Sequence, residues 1–101
     1  MTVEQIDPTD VDTEIADVID IRDEDSFAEG HIPGAENVPL DNLEEVVDER
    51  EWNDEVVVAC YVGQTSQQAA RLIDAYADDV IVASMSGGYK KWDGPLRQSN
   101  K

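Results

Sequence analysis

Short apolar runs separated by polar segments occur along the whole chain. Residues 55–60 form an uninterrupted apolar run after Glu55, which is typical of a parallel strand covered on both faces. Residues 16–21 are a β-branched run that predicts a second buried strand, and residues 80–83 predict a third. Residues 5–8 predict a short edge strand that stops at Pro8. Cys60 is the last residue of the clearest predicted strand.

Helical spacing appears between these strands. Residues 40–47 carry apolar side chains at 40, 43, 46 and 47, and residues 66–78 carry them at 69, 70, 72, 73, 76 and 77. Shorter predicted elements are a turn or helical turn at 8–10, a helix over 25–30 that Gly30 ends, turns over 31–35 leading to 37–39, and a short helix through Trp92. The alternation of strands and helices predicts an α/β fold with a parallel sheet and right-handed crossovers.

The length and composition indicate one folded domain. The chain has 101 residues and is 41% apolar, which suffices for one core and not for two. We expect a single domain over residues 1–101, with a core of about 5–95 and a short polar end at 96–101. The apolar runs are too short to span a membrane, and the first residues lack the pattern of a secretory signal. A cytoplasmic protein is the simplest expectation.

The charge of the chain is strongly negative. There are 24 acidic and 7 basic residues, a net charge of −17. Nucleic acid and anionic membranes are disfavoured as partners, because binding phosphates requires a basic patch. The acids are spread along the chain and interleaved with apolar runs, which favours a folded acidic surface over an acidic disordered tail. Halophilic proteins use such a surface, so the composition predicts a high-salt cytoplasm.

Cys60 is the single cysteine and His31 is the single histidine. Neither an intramolecular disulfide nor a zinc site is therefore expected, and the sequence predicts no metal and no cofactor.

Cys60 ends a predicted strand and is followed by a short glycine-containing loop and a helix beginning at Ser66. Ligands of open α/β sheets bind at this end of the strands. Backbone N–H groups of the loop and helix start would favour a thiolate near neutral pH, which makes Cys60 a candidate nucleophile. The alternative is a buried, structural cysteine.

Four groups of residues resemble the rhodanese domain in the same order and at the same spacing, over roughly residues 5–95. They are Asp20-Ile21-Arg22, the segment 27–35 with Asn37 and Pro39, the segment 60–66, and Gly87-Gly88 with Trp92. The resemblance implies a three-layer α/β/α fold around a five-stranded, mostly parallel sheet. It also implies that a cysteine in a six-residue loop carries sulfur as a persulfide.

Carried over by position, the resemblance implies that Cys60 is the nucleophile and persulfide carrier. The residues that would bind the substrate are Tyr61, Val62, Gly63, Gln64, Thr65, Ser66 and Arg22. Arg22 would either meet an anionic donor or pair with a carboxylate. His31 would order a turn rather than act as a base. Phe27 and Trp92 are expected in the core, and Lys90 and Lys91 would either attract anions or form a solvated surface pair.

The chain departs from related proteins at two points. No Arg, Lys or His lies between Cys60 and Thr65, which argues against thiosulfate as the physiological donor. Ser66 occupies the position where related dual-specificity phosphatases need an arginine, so phosphate-monoester hydrolysis and arsenate reduction are disfavoured.

The predicted function is therefore that of a sulfurtransferase. Cys60 would take sulfane sulfur from a small sulfur-containing anion, such as thiosulfate, or from a persulfide, and a thiol or protein acceptor would remove it. The alternative is a non-catalytic or carrier module of the same fold that binds a partner protein or a small anion.

Overall fold

The computed structural model describes residues 3–12, 14, 16–47, 52, 54–61, 65–77, 80–94 and 96–98. Its sheet has five strands: β1 (Glu4–Ile6), β2 (Asp17–Asp20), β3 (Glu36–Asn37), β4 (Glu55–Ala59) and β5 (Ile81–Met85). The α-helices are α1 (Glu24–Glu29), α2 (Leu40–Val46) and α3 (Thr65–Tyr76), and short 3-10 helices cover Pro8–Asp10 and Gly88–Lys91. The strand order is β1-β5-β4-β2-β3, and every pair of neighbouring strands is parallel. The predicted α/β fold with a five-stranded sheet is confirmed, and the pairing of the described strands is fully parallel.

Side chains of the central strands alternate between two apolar clusters. Val56 and Val58 of β4 pack with α2 and α3 on one face, and Cys60 belongs to the same cluster. Val57 and Ala59 lie on the other face, in a cluster bordered by Tyr89 and Trp92. Because β4 is covered on both faces, its residues are apolar without interruption, as the sequence pattern predicted.

The edges of the sheet differ from its centre. Glu4 and Gln5 of β1 are exposed, as expected for an edge strand. The opposite edge is β3, which the sequence pattern did not predict as a strand. Asn37 pairs with Asp20 through the backbone, and its side-chain amide nitrogen donates to the Asp20 and Arg22 carbonyls at 3.0 and 2.9 Å. Backbone pairing and one amide side chain hold this two-residue strand in place.

Two predicted boundaries next to Cys60 need correction. β4 ends at Ala59, so Cys60 is the first residue after the strand, and α3 begins at Thr65 rather than at Ser66. The described part of α3 ends at Tyr76, and the predicted end near Asp78 lies outside the described residues. Gly30 ends α1 as predicted, but with extended backbone rather than a left-handed cap.

The longest described helix, α3, has 12 residues. Within the described part of the chain, none of the helices combines the length and apolar character that crossing a membrane requires.

Candidate active site

Cys60 lies at the carboxyl end of the central strand β4, with only 5% of its surface exposed. The Ser66 backbone N–H donates to Cys60 Sγ at 3.3 Å. Ser66 is the second residue of α3, where N–H groups have no partner within the helix. The sulfur of Cys60 thus has a backbone donor beside it at the N-terminus of a helix. The geometry therefore supports a nucleophilic cysteine at this position.

The start of α3 is fixed to the sheet by a pair of buried hydroxyl groups. Ser66 Oγ and Ser84 Oγ of β5 are 2.6 Å apart, and both residues are fully or almost fully buried. The two hydroxyls share a hydrogen bond in an environment where an unpaired hydroxyl would cost about 1–3 kcal/mol. This pair holds the Ser66 amide against the sulfur of Cys60, and it gives Ser66 a positioning role that the sequence did not reveal.

The other predicted loop residues are only partly described. Tyr61 is 61% exposed beside the buried cysteine, and Thr65 is exposed at the start of α3. Val62, Gly63 and Gln64 lie outside the described residues. The substrate-binding role expected of these three residues therefore stays a prediction.

The 3-10 helix after β5 holds the backbone of Cys60. The Tyr89 N–H donates to the Cys60 carbonyl at 2.8 Å, and the Lys90 N–H donates to the Tyr61 carbonyl at 2.9 Å. This close approach requires glycine at position 88, where φ is +61° and a Cβ atom would lie 2.3 Å from the Cys60 oxygen. Of the glycine pair noted in the sequence, Gly88 thus lies against the backbone of Cys60, although the sequence pattern alone gave no such contact.

Arg22 is held in a cluster with Asp20 and Tyr89. Its Nε and Nη2 donate to the Asp20 carboxylate at 2.7–3.1 Å, and Nη2 also donates to the Gly30 carbonyl at 2.7 Å. The guanidinium stacks over the Tyr89 ring at 3.7 Å. The Asp20 side chain is fully buried and 14% of the Arg22 side chain is exposed. The expected carboxylate partner is therefore present, while a role of Arg22 in binding substrate stays a prediction.

Burial and the Asp20 carboxylate shift the pKa values of Arg22 and Tyr89. Burial alone would lower the pKa of Arg22, but the hydrogen bonds and negative charge of Asp20 outweigh it and raise that pKa above its ordinary value. Burial, with the nearby Asp20 carboxylate, raises the pKa of Tyr89 far above its ordinary value, so its phenol is neutral. The Tyr89 hydroxyl accepts from the Ile32 N–H at 3.1 Å. Tyr89 therefore joins the Arg22 ion pair to the backbone of Cys60.

His31 and Phe27 lie at the end of α1, outside the contacts made by Cys60. The His31 ring is buried, its Nδ1 lies 2.9 Å from the Phe27 carbonyl oxygen, and it stacks on the Phe27 ring at 3.8 Å. Trp92 is partly buried against the second apolar cluster. Trp92 thus packs against the core as expected, whereas Phe27 is only partly buried and packs on His31 instead of entering either apolar cluster.

Comparison with known proteins identifies the family. The profile of the rhodanese-like domain matches residues 4–94. Thiosulfate sulfurtransferase GlpE of Pseudoalteromonas translucida is 37% identical over 84 residues, which cover 82% of this chain and 78% of the relative. The GlpE of Shewanella oneidensis is 41% identical over 76 residues, covering 74% and 73%. A crystal structure of a rhodanese-related protein from Thermoplasma volcanium has the same fold, with a TM-score of 0.85, 21% identity, and coverage of 95% and 99%.

The fold, the cysteine site and these matches define a rhodanese-like protein, and the chain belongs to the rhodanese-like domain family. Within that family it is an enzyme of the sulfurtransferase type, as predicted.

Proposed function

We propose that Cys60 accepts sulfane sulfur as a persulfide and passes it to a thiol. The observation that carries the proposal is the position of Cys60 Sγ, 3.3 Å from the Ser66 N–H at the start of α3. With thiosulfate as donor, the thiolate attacks the outer sulfur, the sulfur–sulfur bond of thiosulfate breaks, and sulfite leaves with the bonding electrons. An acceptor thiolate then attacks the outer sulfur of the persulfide, and Cys60 leaves as a thiolate. The two steps need no further oxidant or reductant.

Two donor classes fit this site, thiosulfate and small persulfides. The names of the GlpE relatives favour thiosulfate, whereas the absence of a basic residue between Cys60 and Thr65 argues against it. The backbone N–H of the exposed Lys90 donates to the Tyr61 carbonyl, so this basic residue is attached to the chain that follows Cys60. Lys90 is thus our candidate for the positive charge that the loop itself lacks.

Intact-protein mass spectrometry tests the proposal directly. The wild type and Cys60→Ser are incubated separately with thiosulfate and with a persulfide donor in molar KCl. The reactions are quenched in acid, and the molecular mass of each protein is measured. We expect the wild type to gain one sulfur atom that dithiothreitol removes, and Cys60→Ser to gain none. If neither donor adds sulfur to the folded wild type, the proposal fails and the alternative, a non-catalytic module that binds a partner protein or an anion, takes its place.

Replacing Lys90 with glutamine should lower kcat/KM for thiosulfate by about threefold at low ionic strength, because the anion loses electrostatic attraction near the active loop. Lys91→Gln is the matched control, since Lys91 is also exposed but acts on Asp7, whose pKa is lowered mainly by hydrogen bonds from Thr9 and further by the charge of Lys91. The difference between the variants should shrink in molar KCl, where the Debye length is about 3 Å. Equal rates for Lys90→Gln and Lys91→Gln would exclude a donor-attracting role for Lys90.

We also propose that the net charge of −17 adapts the folded domain to a salt-rich cytoplasm. Screening of the repulsion among 24 acidic residues should raise the melting temperature between very low and molar KCl. Circular dichroism measured across this range checks the expectation. Equal stability at both extremes would contradict it.

A further inference from the structure

An open groove lies beside the active cysteine. The residues that line it are Arg22, Asp23, Ser26, Glu29, Gly30, Tyr61 and Leu96. Tyr61 follows Cys60 in the chain, so the groove includes the residue next to the reactive cysteine. Tyr61 and Leu96 are two of the large apolar side chains that are more than half exposed, at 61% and 54%. Two exposed apolar side chains that line one groove offer a contact surface to a larger molecule.

The groove is built on ordered backbone. His31 and Arg97 exchange two backbone hydrogen bonds, at 3.0 and 2.8 Å, which fix the segment carrying Leu96 next to the end of α1. Leu96 also packs closely on Gly30, since a Cβ atom there would lie 3.3 Å from its Cδ1. The apolar side of the groove is therefore held in place before any partner arrives, which reduces the cost of ordering it on binding.

The charge of the groove is negative. Asp23 and Glu29 line it and are exposed, and Glu24 and Asp25 are exposed on the same short helix. Among the described lining residues the one cation is Arg22, whose charge is balanced by Asp20 and whose side chain is mostly buried. Anionic ligands are disfavoured here, and a second copy of this chain is disfavoured by its own charge of −17. The complementary occupant carries positive charge and an apolar side chain.

We propose that this groove docks the sulfur acceptor, a protein segment in which a cysteine is flanked by lysine or arginine and by an apolar side chain. The apolar side chain would pack against Tyr61 and Leu96, and the basic residues would face Glu29 and the neighbouring acids of α1. This inference rests on the proposed persulfide chemistry of Cys60. The acceptor thiolate attacks the outer sulfur, the bond between that sulfur and Sγ breaks, and Sγ leaves as a thiolate.

Two synthetic hexapeptides serve as probes of the groove. One has a central cysteine between two leucines with three lysines outside them, and the other has glutamates in place of the lysines. Cys60 is first loaded with sulfur, and transfer to each peptide and to N-acetylcysteine is followed by mass spectrometry. The reactions are run at the lowest salt concentration at which circular dichroism shows every variant to be folded.

Glu29→Lys and Glu45→Lys are the matched variants, because both reverse one exposed charge on a helix, and only Glu29 lines the groove. We expect Glu29→Lys to slow transfer to the lysine peptide about tenfold and Glu45→Lys by less than about twofold. Leu96→Ala should slow transfer to both peptides a few-fold. Transfer to N-acetylcysteine, a small anionic thiol, should not fall in any of the variants.

The outcomes separate this inference from the proposed function. Failure of Cys60 to load would overturn both proposals. Normal loading, with equal effects of Glu29→Lys and Glu45→Lys on the lysine peptide, would overturn the docking surface alone. A wild type that prefers the glutamate peptide would also overturn it.

Discussion

Gly88→Ala should cost about 3 kcal/mol of unfolding free energy and reduce sulfur transfer at least tenfold. The new methyl group would lie 2.3 Å from the Cys60 oxygen and 2.6 Å from the carbonyl carbon and oxygen of Tyr61. All three are backbone atoms, so they cannot move aside without displacing the active loop. The hydrogen bonds from Tyr89 and Lys90 to these carbonyls would lengthen or break. Urea denaturation and steady-state kinetics measure the two effects.

Gly87→Ala is the matched control for this prediction. Gly87 has a similar left-handed backbone, with φ of +73°, but a methyl group there would meet the side chain of Lys91 rather than backbone. That side chain is long and exposed, so it can turn away. Gly87→Ala should therefore cost only the backbone strain, about 1 kcal/mol, and leave transfer nearly unchanged. Equal losses in the two variants would show that backbone strain, and not contact with the active loop, is the reason for glycine at position 88.

The parts of the fold that were predictable from the sequence are those defined by apolar periodicity. β4 is buried on both faces and is a continuous apolar run, and α2 buries Leu43 on a face with helical spacing. Apolar periodicity did not predict β3, because this strand has two residues, neither of them apolar. It is held by hydrogen bonds to Asp20 and Arg22. Elements held by tertiary hydrogen bonds leave no periodic pattern in the sequence.

Part of the candidate site was also predictable from the sequence, and part of it was not. The position of Cys60 after a buried strand and before a helix was predictable, since strand, loop and helix are consecutive in the chain. The contacts that hold it in place come from elsewhere: Ser84 reaches Ser66 from β5, and Tyr89 reaches the Cys60 carbonyl from the 3-10 helix. Glycine at position 88 was visible in the sequence, but the backbone that it approaches is set only by the packed fold. The resemblance to a known family included Cys60, Ser66 and Gly88 without giving their contacts, and it did not include Ser84 or Tyr89.

Asp20→Ala should lower the unfolding free energy by about 4 kcal/mol, because it leaves the mostly buried guanidinium of Arg22 without its anion. The loss should extend to catalysis, since Arg22 stacks on Tyr89 and the Tyr89 N–H holds the Cys60 carbonyl. The double variant Asp20→Ala/Arg22→Met should recover about half of the lost stability, because it removes the stranded charge while retaining an apolar side chain over Tyr89. Urea denaturation of both variants measures these differences.

The control for Asp20→Ala is Glu45→Ala, which removes one exposed acid from α2 and lowers the net negative charge by the same amount. Its unfolding free energy should stay within about 0.5 kcal/mol of the wild type. Molar KCl should not restore the stability of Asp20→Ala, because a buried pair is screened far less than an exposed one. An Asp20→Ala variant as stable as Glu45→Ala would mean that the ion pair contributes nothing net to the fold. Gly88 and the Ser66–Ser84 pair would then be the described contacts that matter more for the position of Cys60.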